Sequence, residues 1–287
     1  MGGISRRMLS RRALIAAALA ATGCTQQGML RAADFLTPES GTRHLSGAAF
    51  GPDPRQALDL YAPPGGGVRP AVLFLYGGGW RQGSRQQYRF IAEALVTRGL
   101  LAIVADYRLA PAARFPDFVE DFALACRWAR ENVARYGGDP GRIVVLGHSA
   151  GSYNALVGLL DPRWLGAVGM HPAELARLVA LAPPTGIELP RSRRFAPLFA
   201  DADPPGSAWP IRLAEAGGAG APPITLVGGG ADFLIQPDDV RALAAAISAG
   251  GGRAEALIVP EAGHAEVLGD LWAGAARAEA WAPRLYV

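Results

Sequence analysis

The pentapeptide Gly147-His148-Ser149-Ala150-Gly151 sets a serine between two glycines, after the apolar run Arg142–Leu146 (RIVVL) and before a helical segment beginning at Ala150. A serine hydroxyl is a poor nucleophile unless a base removes its proton, and the base needs a carboxylate to orient it. A sharp strand-to-helix turn can present such a hydroxyl at the end of a sheet. The turn is strained, so the residues two places away must lack bulk, and Gly147 and Gly151 meet that need. Five residues with three fixed are a weak signal alone. The buried strand before them and the helix after them make it specific.

Four histidines are available, and only His171 and His264 follow the serine. His264 ends Pro260-Glu261-Ala262-Gly263-His264, just after the last apolar strand, in a loop at a strand's carboxyl end where parallel sheets place their sites. His171 precedes the strand 175–182 and breaks the chain order nucleophile, acid, base. His264 is the expected base. Asp232 closes Gly228-Gly229-Gly230-Ala231-Asp232 after the strand PITLV and is the expected acid. Its rivals Asp238 and Asp239 follow Pro237 at a helix start, where acids are favoured by the helix dipole alone.

Acyl transfer also needs preorganised N–H donors for the developing oxyanion. Tyr76-Gly77-Gly78-Gly79-Trp80 follows the strand AVLFL, and its glycines let the backbone approach a substrate. Ala150, next to the serine, supplies a further amide. A phosphate-binding loop is the competing reading of these glycines, but neither G-x-x-x-x-G-K-[ST] nor G-x-G-x-x-G accompanies them. The constellation calls for no metal and no cofactor.

Strands and helices alternate along the chain, the pattern of a mostly parallel sheet with helices on both faces. His44–Phe50 and Ala57–Tyr61 predict an opening antiparallel hairpin. Ala71–Tyr76 and Leu100–Asp106 are continuous apolar runs, as strands buried on both faces should be. Helices are predicted over Tyr88–Arg98, Pro116–Tyr136, Asp238–Ala249 and Ala265–Ala282, with further strands at Leu175–Ala182, Pro223–Val227 and Glu255–Val259. Residues 183–220, rich in Pro, Arg and Gly, show no firm periodicity and predict a small lid or substrate loop.

All basic side chains other than histidine are arginine, and the sequence pI is about 9.1. Four of the arginines lie in the first 23 residues, which hold no acid. Without that stretch the formal charge changes from +3 to −1. A nucleic-acid binder keeps its basic patch on the folded part, so nucleic acid is not an expected partner.

Residues 1–23 carry a positive run, an apolar stretch and then small residues, the pattern of a secretory signal. The apolar stretch is shorter than the ~20 residues that span a bilayer. Ser10-Arg11-Arg12-Ala13-Leu14-Ile15 resembles a twin-arginine signal. Ala21-Thr22-Gly23-Cys24 resembles a bacterial lipobox, with Ala21 where leucine is usual, which implies lipidation of Cys24. The alternative is plain signal cleavage near Ala21. The expected organisation is a signal over 1–23, a polar tether over 24–42 and one catalytic domain over 43–287. The product would be an exported protein, periplasmic or membrane-anchored, touching the membrane only through Cys24. Cys126, inside a predicted helix, reads as a small buried hydrophobe.

Taken together, YGGGW, Asp106-Tyr107-Arg108-Leu109-Ala110-Pro111, GGDPGRIVVLGHSAG, the Asp232 loop and Gly263-His264 resemble bacterial α/β-hydrolase carboxylesterases of the hormone-sensitive-lipase-like and feruloyl-esterase-like groups. The resemblance covers roughly residues 55–282. It implies the α/β-hydrolase fold, an oxyanion hole at Gly78, Gly79 and Ala150, and a structural role for the Asp106–Pro111 element. Tyr76 stands where that family usually has His; with Trp80 it is an expected pocket-lining residue. With so few residues between the signal and the first core strands, no large cap domain is expected. The implied function is hydrolysis of short-chain or aryl esters. An amide or formamide hydrolase of the arylformamidase kind remains open, because the machinery is shared, as does a non-catalytic surface lipoprotein.

Overall fold

A computed structural model describes residues 30, 33–38, 43–186, 192–204, 206–218 and 220–286. The expected signal 1–23, Cys24 and much of the stretch 24–42 lie outside the described residues.

Eight strands form one sheet: β1 (Arg43–Ala49), β2 (Ala57–Ala62), β3 (Arg69–Leu75), β4 (Leu101–Ala105), β5 (Gly138–His148), β6 (Arg177–Leu181), β7 (Ile224–Gly229) and β8 (Ala254–Val259), in the order β1-β2-β4-β3-β5-β6-β7-β8. β1 pairs antiparallel with β2, and β2 with β4. All other pairings are parallel. The continuous apolar runs occupy the centre: β4 is buried throughout, and so is Ala71–Leu75 of β3. Parallel strands covered on both faces require that composition.

The covering helices are α1 (Arg89–Val96), α2 (Asp117–Asn132), α3 (Ala150–Leu160), α4 (Arg163–Gly166), α5 (Pro210–Ala216), α6 (Pro237–Ala249) and α7 (Glu266–Ala273). α1 packs with α7, whereas α2 through α6 pack among themselves, which gives two helical layers around the sheet. Cys126 on α2 is fully buried and forms no disulfide among the described residues. No cap domain is inserted among the described residues.

Register brings the strand ends level. Leu75 of β3 lies beside Ala105 of β4 and Gly147 of β5, His148 beside Leu181, and Gly229 beside Val259. The loops that follow β3, β5, β7 and β8 therefore open at one edge of the sheet. The chain reverses its order of strand addition between β3 and β5, and such a switch point leaves a crevice at the carboxyl ends.

Three segments depart from the sequence reading. The final helix ends at Ala273 rather than Ala282, because Gly274 takes a left-handed conformation (φ 60°); two short 3₁₀ turns follow. Part of the expected tether is packed down: residues 33–36 form a helical turn, Arg89 donates to the Asp34 carboxylate at 2.8 Å, and the Trp272 indole donates to Thr37 Oγ1 at 2.7 Å. Within 183–220, the described residues include the 3₁₀ turn Ala196–Phe199 and helix α5.

Candidate active site

β5 runs straight into α3, and Ser149 at the junction has φ 51° and ψ −119°. Its neighbours show why the turn needs glycine on both sides. A Cβ on Gly147 would lie 2.4 Å from Ser152 Cα, and one on Gly151 would lie 2.2 Å from the Leu75 carbonyl oxygen. The turn is held by the Ser149 amide donating to Leu181 O at 2.9 Å. A left-handed non-glycine residue costs on the order of 1–3 kcal/mol, borne here by the buried central strands.

Two expected residues line up behind that hydroxyl. His264 Nε2 is 2.9 Å from Ser149 Oγ, and His264 Nδ1 is 2.8 Å from Asp232 Oδ2. Asp232 Oδ1 accepts from the amides of Leu234 (2.8 Å) and Ile235 (3.0 Å). Burial pushes this carboxyl upward. The hydrogen bond and charge of His264 and the two amides outweigh it and hold Asp232 below the ordinary carboxylate range. Asp232 is thus a buried anion aimed at one imidazole, whose other nitrogen faces the serine.

The rival residues lie elsewhere. His171 is an exposed cap that accepts from the Ala173 amide at 3.2 Å. Asp238 pairs with Arg241, and Asp238 and Asp239 both sit in the first turn of α6.

The loop after β3 faces the elbow. Gly78 has φ 145°, and a Cβ there would lie 2.0 Å from Gln82 O, so no other residue fits. The Gly78 and Gly79 amides donate to no acceptor among the described residues, and Ala150 is the first residue of α3, where an amide has no intrahelical partner. The Phe195 ring covers Gly79, where an added Cβ would meet its Cε1 at 2.9 Å.

Comparison with known proteins finds likenesses to esterases. The BD-FAE family model matches residues 58–163. The isoprenylcysteine alpha-carbonyl methylesterase ICME of Arabidopsis thaliana is 27% identical over 76% of this chain and 56% of its own length. Esterase LipC of Mycobacterium tuberculosis is 38% identical over 42% of this chain and 32% of its own. Among solved structures, apo Thermogutta terrifontis esterase 2 superposes with a TM-score of 0.67 at 26% identity, covering 84% of this chain and 93% of that one. The chain has the α/β-hydrolase fold, and the relatives it resembles are esterases. It spans from about a quarter to about half of the length of the first curated relatives it matches.

The structure corrects the sequence reading at two residues. Tyr76 and Trp80, expected to line the pocket, are buried at 0% and 1% exposure and present no surface to a substrate. The Tyr76 ring is stacked between Tyr88 and Tyr107, each 5.0 Å away. Its hydroxyl donates to Asp106 Oδ1 at 2.6 Å and accepts from Arg55 at 2.8 Å. Arg85 closes the cluster with its guanidinium 2.6 Å from Asp106 Oδ2. Tyr76 is therefore a strut at the base of the loop that carries Gly77, Gly78 and Gly79. Trp80 donates its indole N–H to Asn154 on α3 at 2.9 Å and meets Tyr153 and Phe199 edge-on. A large aromatic with one polar atom is buried most easily where that atom finds a partner.

Sequence reasoning passed over Arg55, Phe195 and His148. Nothing local marks Arg55 or Phe195, whose partners are distant in the chain. His148 was visible beside the nucleophile, but a search for a base after the serine excludes it.

Proposed function

We propose that this protein is an exported serine carboxylesterase that cleaves short-chain or aryl esters through an acyl-enzyme. The observation that carries the reading is the continuous relay from Asp232 through His264 to Ser149 Oγ, at 2.8 and 2.9 Å, opposite the free amides of Gly78, Gly79 and Ala150.

In the first half-reaction Ser149 Oγ attacks the ester carbonyl carbon while its proton passes to His264 Nε2. The carbonyl π electrons move to oxygen, which accepts hydrogen bonds from the amides of Gly78, Gly79 and Ala150. Losing one such donor costs on the order of 10²–10³ in rate. Collapse breaks the bond to the alcohol oxygen, which takes the proton from His264. Water then attacks the acyl-serine with His264 as base, the carboxylic acid leaves, and Ser149 recovers its proton. Asp232 keeps the His264 ring oriented and stabilises its cation throughout.

Ester chemistry is supported by the relatives, which are named as a methylesterase and an esterase. A short or flat acyl group is supported by the Phe195 ring over Gly79 and by the charged residues Arg193, Arg194, Asp201 and Asp203 in the same segment of the chain. Export is supported by the basic, apolar and small-residue order of residues 1–24, with Cys24 as the lipid-bearing residue.

The test is a series of p-nitrophenyl esters from acetate to palmitate, run beside a feruloyl ester and N-formylkynurenine, with Ser149→Ala as control. Activity falling with chain length and abolished in Ser149→Ala is expected. Preference for N-formylkynurenine would replace the ester reading with the formamide one. Inactivity on every substrate would overturn both.

A further inference from the structure

We infer that His148 is a positioning residue that ties the nucleophile turn to the loop carrying His264 and to the oxyanion loop. This rests on the serine-hydrolase reading above and extends it to a residue outside the relay.

One side chain meets all three catalytic segments. Its backbone ends β5 and precedes Ser149. Its Nε2 lies 2.9 Å from the backbone oxygen of His264. On the oxyanion loop, a Cβ on Gly77 would lie 2.7 Å from His148 Nδ1 and 3.3 Å from Cε1, so the imidazole sits directly on the bare Cα of Gly77. The residue is 4% exposed.

The chemistry of the bond sets the tautomer. A carbonyl oxygen only accepts, so Nε2 carries the hydrogen and Nδ1 the lone pair. Nδ1 is buried and takes no hydrogen bond among the described residues. An imidazole kept there with one nitrogen unsatisfied is costly, and the Nε2–H bond to the base loop is the return. The neutral form also suits the reaction. The His148 and His264 ring centroids are 5.3 Å apart, and His264 becomes a cation during each proton transfer. Burial, then the charge of His264, pushes His148 protonation down to about 3, so no second cation opposes the first.

If the tie sets the His264–Ser149 distance, losing it should slow chemistry and spare binding. His148→Gln keeps an N–H at the reach of Nε2; His148→Leu removes it. With p-nitrophenyl acetate, His148→Leu is expected to lower kcat on the order of 10–100-fold, as small misplacements of a catalytic group do, with KM changed less than about twofold. His148→Gln is expected to recover to within about fivefold of wild type. Thermal melts establish that each variant is folded. Should His148→Leu not fold, His148→Asn, whose amide is too short to reach His264 O, replaces it in the comparison. A folded His148→Leu as active as wild type would overturn the inference, and so would equal losses in the leucine and glutamine variants. Rates of Ser149 labelling by a fluorophosphonate separate this from the ester reading. Labelling of wild type without ester turnover removes only the substrate assignment, and the rate ratio between variants still tests the tie. Absence of labelling in wild type removes both.

Discussion

Asp106 and Asp232 form an instructive pair. Each lies just past the carboxyl end of a parallel strand, β4 and β7, and each is 3% exposed. Each accepts three short hydrogen bonds: Asp106 from the Tyr76 hydroxyl, the Arg85 amide and the Arg85 guanidinium, Asp232 from two amides and His264. Depth and number of bonds do not distinguish them. Their partners do. Asp106 is neutralised by a permanent cation and braces the loop bearing Tyr76. Asp232 faces a histidine, a side chain whose charge can change. A buried carboxylate becomes chemically useful when its partner can change charge.

The sharpest separation is expected from replacing each acid by its amide. Asp232→Asn should lower kcat by about 10⁴-fold, because the amide favours the wrong histidine tautomer, with KM and melting temperature close to wild type. Ester kinetics and a thermal melt on one preparation check both halves. Asp106→Asn should do the reverse, costing about 3 kcal/mol of stability with less than about a tenfold loss in kcat. Arg85 would lose a buried partner yet keep Asp59 at 2.8 Å. Denaturant unfolding measures it, and a large kcat loss at unchanged stability would erase the contrast.

A smaller effect concerns the histidines. His148 stays neutral to about pH 3 when folded but ionises near 6.5 when unfolded. Between those values the unfolded chain binds the extra proton, so stability is present above pH 6.5 and is lost as pH falls. Asp232, held below the ordinary range, loses its contribution only in more acidic solution. From pH 6.5 to 4.5, wild type should therefore lose roughly 2 kcal/mol more than His148→Gln. Urea titrations at the two pH values check the difference; equal acid slopes would place the His148 proton elsewhere. The smallest effect is Tyr76→Phe, which leaves the stack intact and removes one hydroxyl. A loss of about 1 kcal/mol and a few-fold fall in kcat are expected, read by the same unfolding and kinetic assays.

Much of this was legible along the chain. The glycines around Ser149 announce a tight turn: the crowding at Gly147 is local, from Ser152, whereas the crowding at Gly151 comes from the carbonyl of Leu75 on the adjacent strand and shows only once the sheet is formed. The unbroken apolar runs of β3 and β4 announce strands covered on both faces. The final helix was overextended because alanine-rich sequence continues past Gly274, and only its left-handed backbone stops the turn. The packed residues 33–38 gave no signal, since their partners Arg89 and Trp272 lie far along the chain.

The sequence by itself determined the candidate nucleophile, the order in which its acid and base candidates follow, and the sheet that carries them. Those depend on short-range sterics and on periodicity, which contiguous residues encode. Only the tertiary structure decided that Tyr76 and Trp80 turn into the core, that Phe195 covers Gly79, and that His148 reaches the His264 loop. Each of those outcomes is a choice among faces and partners 30 to 116 residues apart, and it is made when the strand ends come level and the loops meet.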